Sequence, residues 1–119
     1  MSTVSLTLDE IFDLAKKTLL ANGCDDETAS ILSDLIRNAE RDGSVSHGLF
    51  RLPAYVSGLK SGKSNGKGKP EINKVSASVI KVKGNNCLAP VVLSKSLPEL
   101  SKAAKEKGVA VLAINNSHH

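Results

Sequence analysis

Apolar positions in the first third of the chain recur with a helical period. Leu8, Ile11, Phe12, Ala15 and Leu19 fall at steps of three and four and form one stripe. Thr7-Leu8-Asp9-Glu10 precedes it in the form of a capping box, where a hydroxyl and a carboxylate satisfy each other's free backbone N–H. Asn22-Gly23 marks the end of that helix. Asp25 or Asp26 then caps a second helix, whose stripe is Ala29, Leu32, Leu35, Ile36 and Ala39 and which ends near Asp42-Gly43. The pattern predicts a helical hairpin. A third helical segment follows from about Gly48 to Leu59, with Leu49, Leu52, Val56 and Leu59 inside. Pro53 fits there only in the first turn, where its missing N–H costs little.

The period changes beyond Leu59. Lys60 to Pro70 has no apolar side chain and reads as a solvated loop rich in Gly, Ser and Lys. Its Gly62-Lys63-Ser64 has the ending of a phosphate-binding loop but lacks the earlier Gly and a preceding buried strand. Val79, Ile80 and Val82 before Gly84-Asn85-Asn86 read as strand then turn. Ser96-Leu97-Pro98-Glu99 reads as a capped helix start, with Leu100, Ala103 and Ala104 inside and Lys107-Gly108 at the end. Val109 to Ile114 is a continuous apolar run, the mark of a strand covered on both faces. Strand, helix and strand make a βαβ unit with a right-handed crossover. The fold class is therefore α/β (α+β overall). A helical segment spans residues 1–70, and a sheet-containing region starts over 71–119. A strand covered on both faces needs more neighbours than this pattern supplies, so the expectation is an incomplete sheet in a truncated chain.

Composition narrows the function. The chain has 119 residues, enough for a modest core. Sixteen Lys and Arg against twelve Asp and Glu leave +4, too little charge to argue for nucleic acid. Phe12, Phe50 and Tyr55 are the only aromatics, too few to stack a single strand. No apolar run is long enough to cross a bilayer, and the start lacks the pattern of a secretory signal. Cys24 and Cys87 have no metal-ligand spacing and read as reduced thiols in the cytoplasm; no metal is expected.

Chemistry concentrates in Ser46-His47-Gly48-Leu49-Phe50-Arg51. If this segment is helical at its start, His47 and Arg51 share a face. A guanidinium can hold a carboxylate as a two-pronged fork while the imidazole moves a proton on the neighbouring oxygen. The helix entrance adds free N–H groups that favour an anion. The second concentration is the end of the chain, Asn115-Asn116-Ser117-His118-His119.

Ala39-Glu40-Arg41-Asp42-Gly43, Ser46-His47-Gly48 with Arg51, then Tyr55 and Gly62, resemble the opening of the type-2 malate/L-lactate dehydrogenases. Lys105-Glu106-Lys107-Gly108-Val109 followed by Asn116-Ser117-His118-His119 resembles that family's next motif, Asn-Ser-x-His at the end of a buried strand. The family also holds ureidoglycolate and sulfolactate dehydrogenases, a diketogulonate reductase and cyclic ketimine reductases. The resemblance covers essentially the whole chain. It implies a non-Rossmann, NAD- or NADP-dependent oxidoreductase, homodimeric and cytoplasmic, acting on a small 2-oxo or 2-hydroxy acid. By position His47 matches the motif histidine, Ser46 its serine partner, Arg51 the carboxylate-binding arginine and His119 the histidine of Asn-Ser-x-His. His118 falls at the variable position. Pro98 and Cys87 depart from the family's pattern. Members are much longer than this chain, and most cofactor-binding segments fall beyond residue 119.

Three functions follow from these readings. The first is hydride transfer between NAD(P) and a 2-hydroxy or 2-oxo acid, with Arg51 on the carboxylate and His47 or His119 moving the proton. The second is reduction of a cyclic ketimine on the same scaffold. The third is an inert fragment or interaction module that pairs through its exposed sheet edge. Against the site stand two plainer readings: a surface salt bridge from Arg51 to Glu40 or Asp42, and His119 as a tag or frayed tail.

Overall fold

Thr7 begins the first helix by closing the capping box. In the computed structural model, which describes residues 2–119, the Thr7 hydroxyl accepts from the Glu10 N–H at 3.1 Å and the Glu10 carboxylate from the Thr7 N–H at 3.1 Å. Helix α1 runs Leu8–Ala21 and stops at Asn22. Asp25 caps α2, Asp26–Arg41, by accepting from the Thr28 N–H at 2.8 Å. The chain forms two compact units, one ending at Gly62 and one running Lys63–His119.

In the first unit the hairpin buries the expected stripe. Ala15, Leu19, Ala29, Leu32 and Ile36 have no exposed surface. Ala on both helices removes bulk at the contact, so the larger Leu and Ile side chains can interdigitate. The Arg37 guanidinium lies over the Phe12 ring, 4.8 Å from its centre, and adds a cation–π contact. Leu35, expected inside, is 40% exposed.

The third segment is not one helix. Val45–His47 and Leu49–Arg51 are separate 3-10 turns, and α3 covers only Leu52–Lys60. Gly48, at φ −88° and ψ −136°, breaks the helical path between them. The expectation that His47 and Arg51 share a helical face therefore fails. Ser46 and His47 lie on a turn of their own, ahead of the helix entrance. Pro53 does fall in the first turn of α3, and Leu52 is buried.

In the second unit, β1 (Glu71–Lys74), β2 (Val79–Lys83) and β3 (Val111–Asn115) form a sheet in that order. β1 pairs antiparallel with β2, Ile72 opposite Val82, and β2 pairs parallel with β3, Ile80 opposite Leu112. The strand β1 has no sequence signal. Helix α4 connects β2 to β3 over Ala89–Lys107. Its start is a correction: the helix begins at Ala89 with Pro90 in its first turn, and Ser96-Leu97-Pro98-Glu99 lies inside it. The Pro98 ring is on the exposed side. The Val91, Val92, Ser96 and Ala103 face is buried, and its packing carries the helix through the proline. Ile80, Val82, Cys87, Val92 and Ala103 make the core, with Ile72, Leu100, Ala110 and Leu112 against it.

β3 is a second correction. Within this unit it is an edge strand with a helix on one face only, and Val111 is 54% exposed. An apolar run records the capacity to be covered, and no second helix of this unit covers the other face. Among the described residues no helix is long and apolar enough to cross a membrane.

Candidate functional site

The site starts from a 3-10 turn over Val45–His47. On the first 3-10 turn the Ser46 hydroxyl lies 2.9 Å from His47 Nδ1, and both residues are exposed. When the hydroxyl donates, the neutral ring carries its proton on Nε2, away from Ser46. Among the described residues nothing else bonds the ring. The structure therefore brings Ser46 and His47 together and, among the described residues, leaves the other ring nitrogen without a partner.

Arg51 ends the second 3-10 turn and stands at the N-cap position of α3 without a side-chain capping bond, exposed to solvent. Both acids that could have tied it down are engaged elsewhere. Asp42 accepts from Arg41 at 2.8 and 3.1 Å, and this bond holds its carboxyl below the usual range. Glu40 Oε1 accepts from the Leu49 N–H at 2.9 Å. No carboxylate pairs with Arg51 among the described residues. The salt-bridge reading of Arg51 is thus set aside. Its charge acts on Tyr55, one turn along α3, where burial pushes the phenol up and Arg51 pulls it down.

An open groove of about 510 Å³ runs beside Ser46, lined by Glu40, Val45, Ser46 and Phe50. Val45 is 66% exposed and Phe50 78%. Two large apolar side chains held out next to a Ser–His pair give this groove an apolar wall and a polar end. That combination suits a small flat ligand with a charged group.

His119 lies in the second unit, at the end of a segment pinned to the β2–α4 turn. The Asn115 carbonyl accepts from the Gly84 N–H at 2.7 Å and the Asn116 carbonyl from the Asn86 N–H at 2.8 Å. His118 donates its N–H to the Cys87 carbonyl at 2.9 Å, and its own carbonyl accepts from Ala89 at 2.8 Å. The approach is so close that a Cβ on Gly84 would stand 2.6 Å from the Asn116 carbonyl oxygen. A segment stitched this way is not a frayed tail. The His119 side chain itself is exposed.

Glu40 is the residue whose place in this region the sequence did not disclose. The one available signal was an acid in Ala39-Glu40-Arg41-Asp42-Gly43 shortly before a Gly that follows the histidine. Among the described residues no three His, Cys, Asp or Glu side chains gather as a metal ion would need.

Comparison with known proteins covers nearly the whole chain. Residues 6–119 match the family described as malate/L-lactate dehydrogenase. The chain is 37% identical over 117 residues to Delta(1)-pyrroline-2-carboxylate/Delta(1)-piperideine-2-carboxylate reductase of Pseudomonas syringae pv. tomato, covering 98% of this chain and 34% of that protein. It is 38% identical over 111 residues to malate/(S)-sulfolactate dehydrogenase of Methanothermus fervidus, covering 93% and 33%. The crystal structure of delta1-piperideine-2-carboxylate reductase from P. syringae pv. tomato matches with a TM-score of 0.93 at 37% identity, over 98% of this chain and 35% of that one. The chain spans about a third of the length of the curated relatives it matches.

Proposed function

The chain belongs to the malate/L-lactate dehydrogenase family, and on that premise we propose that it carries the carboxylate-binding and proton-transfer groups of an NAD(P)-dependent oxidoreductase. The observation that carries this reading is the Ser46–His47 contact at 2.9 Å, with an unpaired Arg51 on the next turn. Arg51 grips the substrate carboxylate with its fork of N–H groups. Ser46 holds the His47 ring through Nδ1, and the Nε2 proton passes to the substrate heteroatom during reduction. His119 is the second candidate for that proton, by its place in Asn-Ser-x-His.

NAD(P) supplies a hydride to the substrate carbon when it is bound. The exposed Val45 and Phe50 beside Ser46 would offer apolar surface to the cofactor's flat reactive ring. The substrate class is a small acid whose carboxylate sits next to a C=O or C=N bond. A 2-oxo acid gains its proton on oxygen and becomes the 2-hydroxy acid. A cyclic 2-imino acid gains it on nitrogen and becomes the cyclic amino acid. Relatives of both kinds stand at equal distance, 37% and 38% identical. We place the protein as a homodimer in the cytoplasm, in keeping with the family.

The test is a titration of the chain with NADH and NADPH, then with oxamate and pyrrole-2-carboxylate as analogues of the two substrates. Turnover is then measured on a panel of 2-oxo and cyclic 2-imino acids. Saturable binding of one analogue, and turnover that falls at least about 100-fold in His47→Ala, are the expected results. A chain that binds neither analogue, or whose turnover survives both His47→Ala and His119→Ala, removes the proposal.

A further inference from the structure

We propose that Glu40 is a positioning residue for this site, acting through the Leu49 N–H to hold the two 3-10 turns that carry His47 and Arg51. The role rests on the functional reading above; the geometry does not.

The second 3-10 turn has no cap of its own. Its N-cap residue is Gly48, which has no side chain, and no side chain of the turn bonds its first free N–H groups. The missing acceptor arrives from nine residues upstream. Glu40, in the last turn of α2, reaches over Gly48 and takes the Leu49 N–H at 2.9 Å. This bond is part-buried, so losing it would leave the Leu49 N–H only partly open to water.

Gly48 and Glu40 are two halves of one device. A Cβ on residue 48 would lie 2.1 Å from Glu40 Oε1, 2.6 Å from Cδ and 2.8 Å from Cγ. The carboxylate occupies the space that any other side chain at 48 would need. Gly48 is buried for the same reason. The bond thus fixes the chain at the one residue, Gly48, that lies between His47 and the turn ending in Arg51. It ties both to the end of α2, whose Ala29, Leu32 and Ile36 are buried in the hairpin. Glu40 also lines the groove beside Ser46, so its carboxylate backs the site instead of pairing with a cation. Among the described residues no lysine or arginine reaches it.

Four variants of the chain test this: Glu40→Ala, Glu40→Gln, Gly48→Ala, and Glu40→Ala with Gly48→Ala. The first readout is amide hydrogen exchange at Leu49 and backbone relaxation over residues 46–51 by NMR. The second is oxamate and pyrrole-2-carboxylate affinity. Glu40→Ala is expected to open the Leu49 amide to fast exchange and to weaken analogue binding about 10- to 100-fold, as small misplacements of binding groups do. Glu40→Gln keeps an uncharged acceptor in place and is expected to recover most of that loss. Gly48→Ala should reproduce Glu40→Ala by expelling the carboxylate, and the double variant should be no worse than either single one. Circular dichroism of the hairpin helices identifies a variant that fails to fold, and Glu40→Gln and Gly48→Ala then decide.

A Leu49 amide that stays protected in Glu40→Ala overturns the inference, and so does undiminished analogue affinity or multiplying losses in the double variant. If the unaltered chain binds no analogue, the functional reading falls on its own, and the exchange and relaxation data still decide whether Glu40 orders this loop.

Discussion

Arg51→Ala separates recognition from folding, because among the described residues no carboxylate pairs with this arginine. Asp42 is held by Arg41 and Glu40 by Leu49, so no carboxylate is stranded when Arg51 is removed. Its side chain is exposed. The change in folding stability is therefore expected to stay within about 0.5 kcal/mol, the range of surface substitutions that break no network. Recognition behaves differently. A charge-assisted bond to a carboxylate contributes about 1.5–3 kcal/mol, and each 1.4 kcal/mol is a factor of ten. Oxamate affinity should fall about 10- to 150-fold. Arg51→Lys keeps the charge without the fork and should fall between the two. Tyr55 provides an internal check: the guanidinium lowers a phenol pKa that burial raises, so the Tyr55 titration should move further up in Arg51→Ala. The assay pairs a calorimetric titration against oxamate with a urea melt of each variant. A loss of stability above about 1 kcal/mol would make Arg51 structural, and an unchanged Kd would take the carboxylate away from it. Either result refutes the reasoning.

Three further outcomes follow from the same geometry. Ser46→Ala removes the 2.9 Å contact that orients the His47 ring and should lower kcat about tenfold with KM nearly unchanged; equal kcat would free Ser46 from any role. Pro98→Ala should raise stability by up to about 3 kcal/mol, the net cost of an interior helical proline relative to Ala. A urea midpoint that does not rise would show that α4 is adapted to Pro98. Burial, helped by Asp25, pushes the Cys24 thiol from 9.0 up to about 11. The folded state thus resists losing this proton: the stability is fully present below pH 9 and is lost as pH rises toward 11. The loss is about 2–3 kcal/mol at about 1.4 per pKa unit, absent in Cys24→Ala. At pH 8, alkylation of Cys24 should run about 100-fold slower than that of an unshifted thiol, and fast labelling of the native chain would contradict it.

The hairpin was legible because its signals are local. A hydroxyl three residues before a carboxylate, an Asp before Thr28 and a left-handed Gly23 each act on the turn that contains them, so α1 and α2 begin and end where the residues require. Ser46 and His47 were legible for the same reason, as neighbours in the chain. Pro98 shows where a local rule stops: proline favours a first turn, but Pro90 already holds that place, and the buried Val91–Ala103 face outweighs one lost hydrogen bond on the solvent side. β1 shows another limit, since Glu71–Lys74 carries charges at both ends and becomes a strand only by pairing with β2.

The residue types of the site, the ends of the two hairpin helices and the βαβ order are thus properties of the chain itself, set by caps, glycines and periodicity. Tertiary structure decided what distance in sequence conceals. It broke the third segment at Gly48, left Arg51 unpaired by occupying Glu40 and Asp42 elsewhere, and bent the Glu40 side chain back over nine residues to an N–H with no local partner. A hydrogen bond of that kind depends on where two turns come to rest, and only the packed hairpin brings them there.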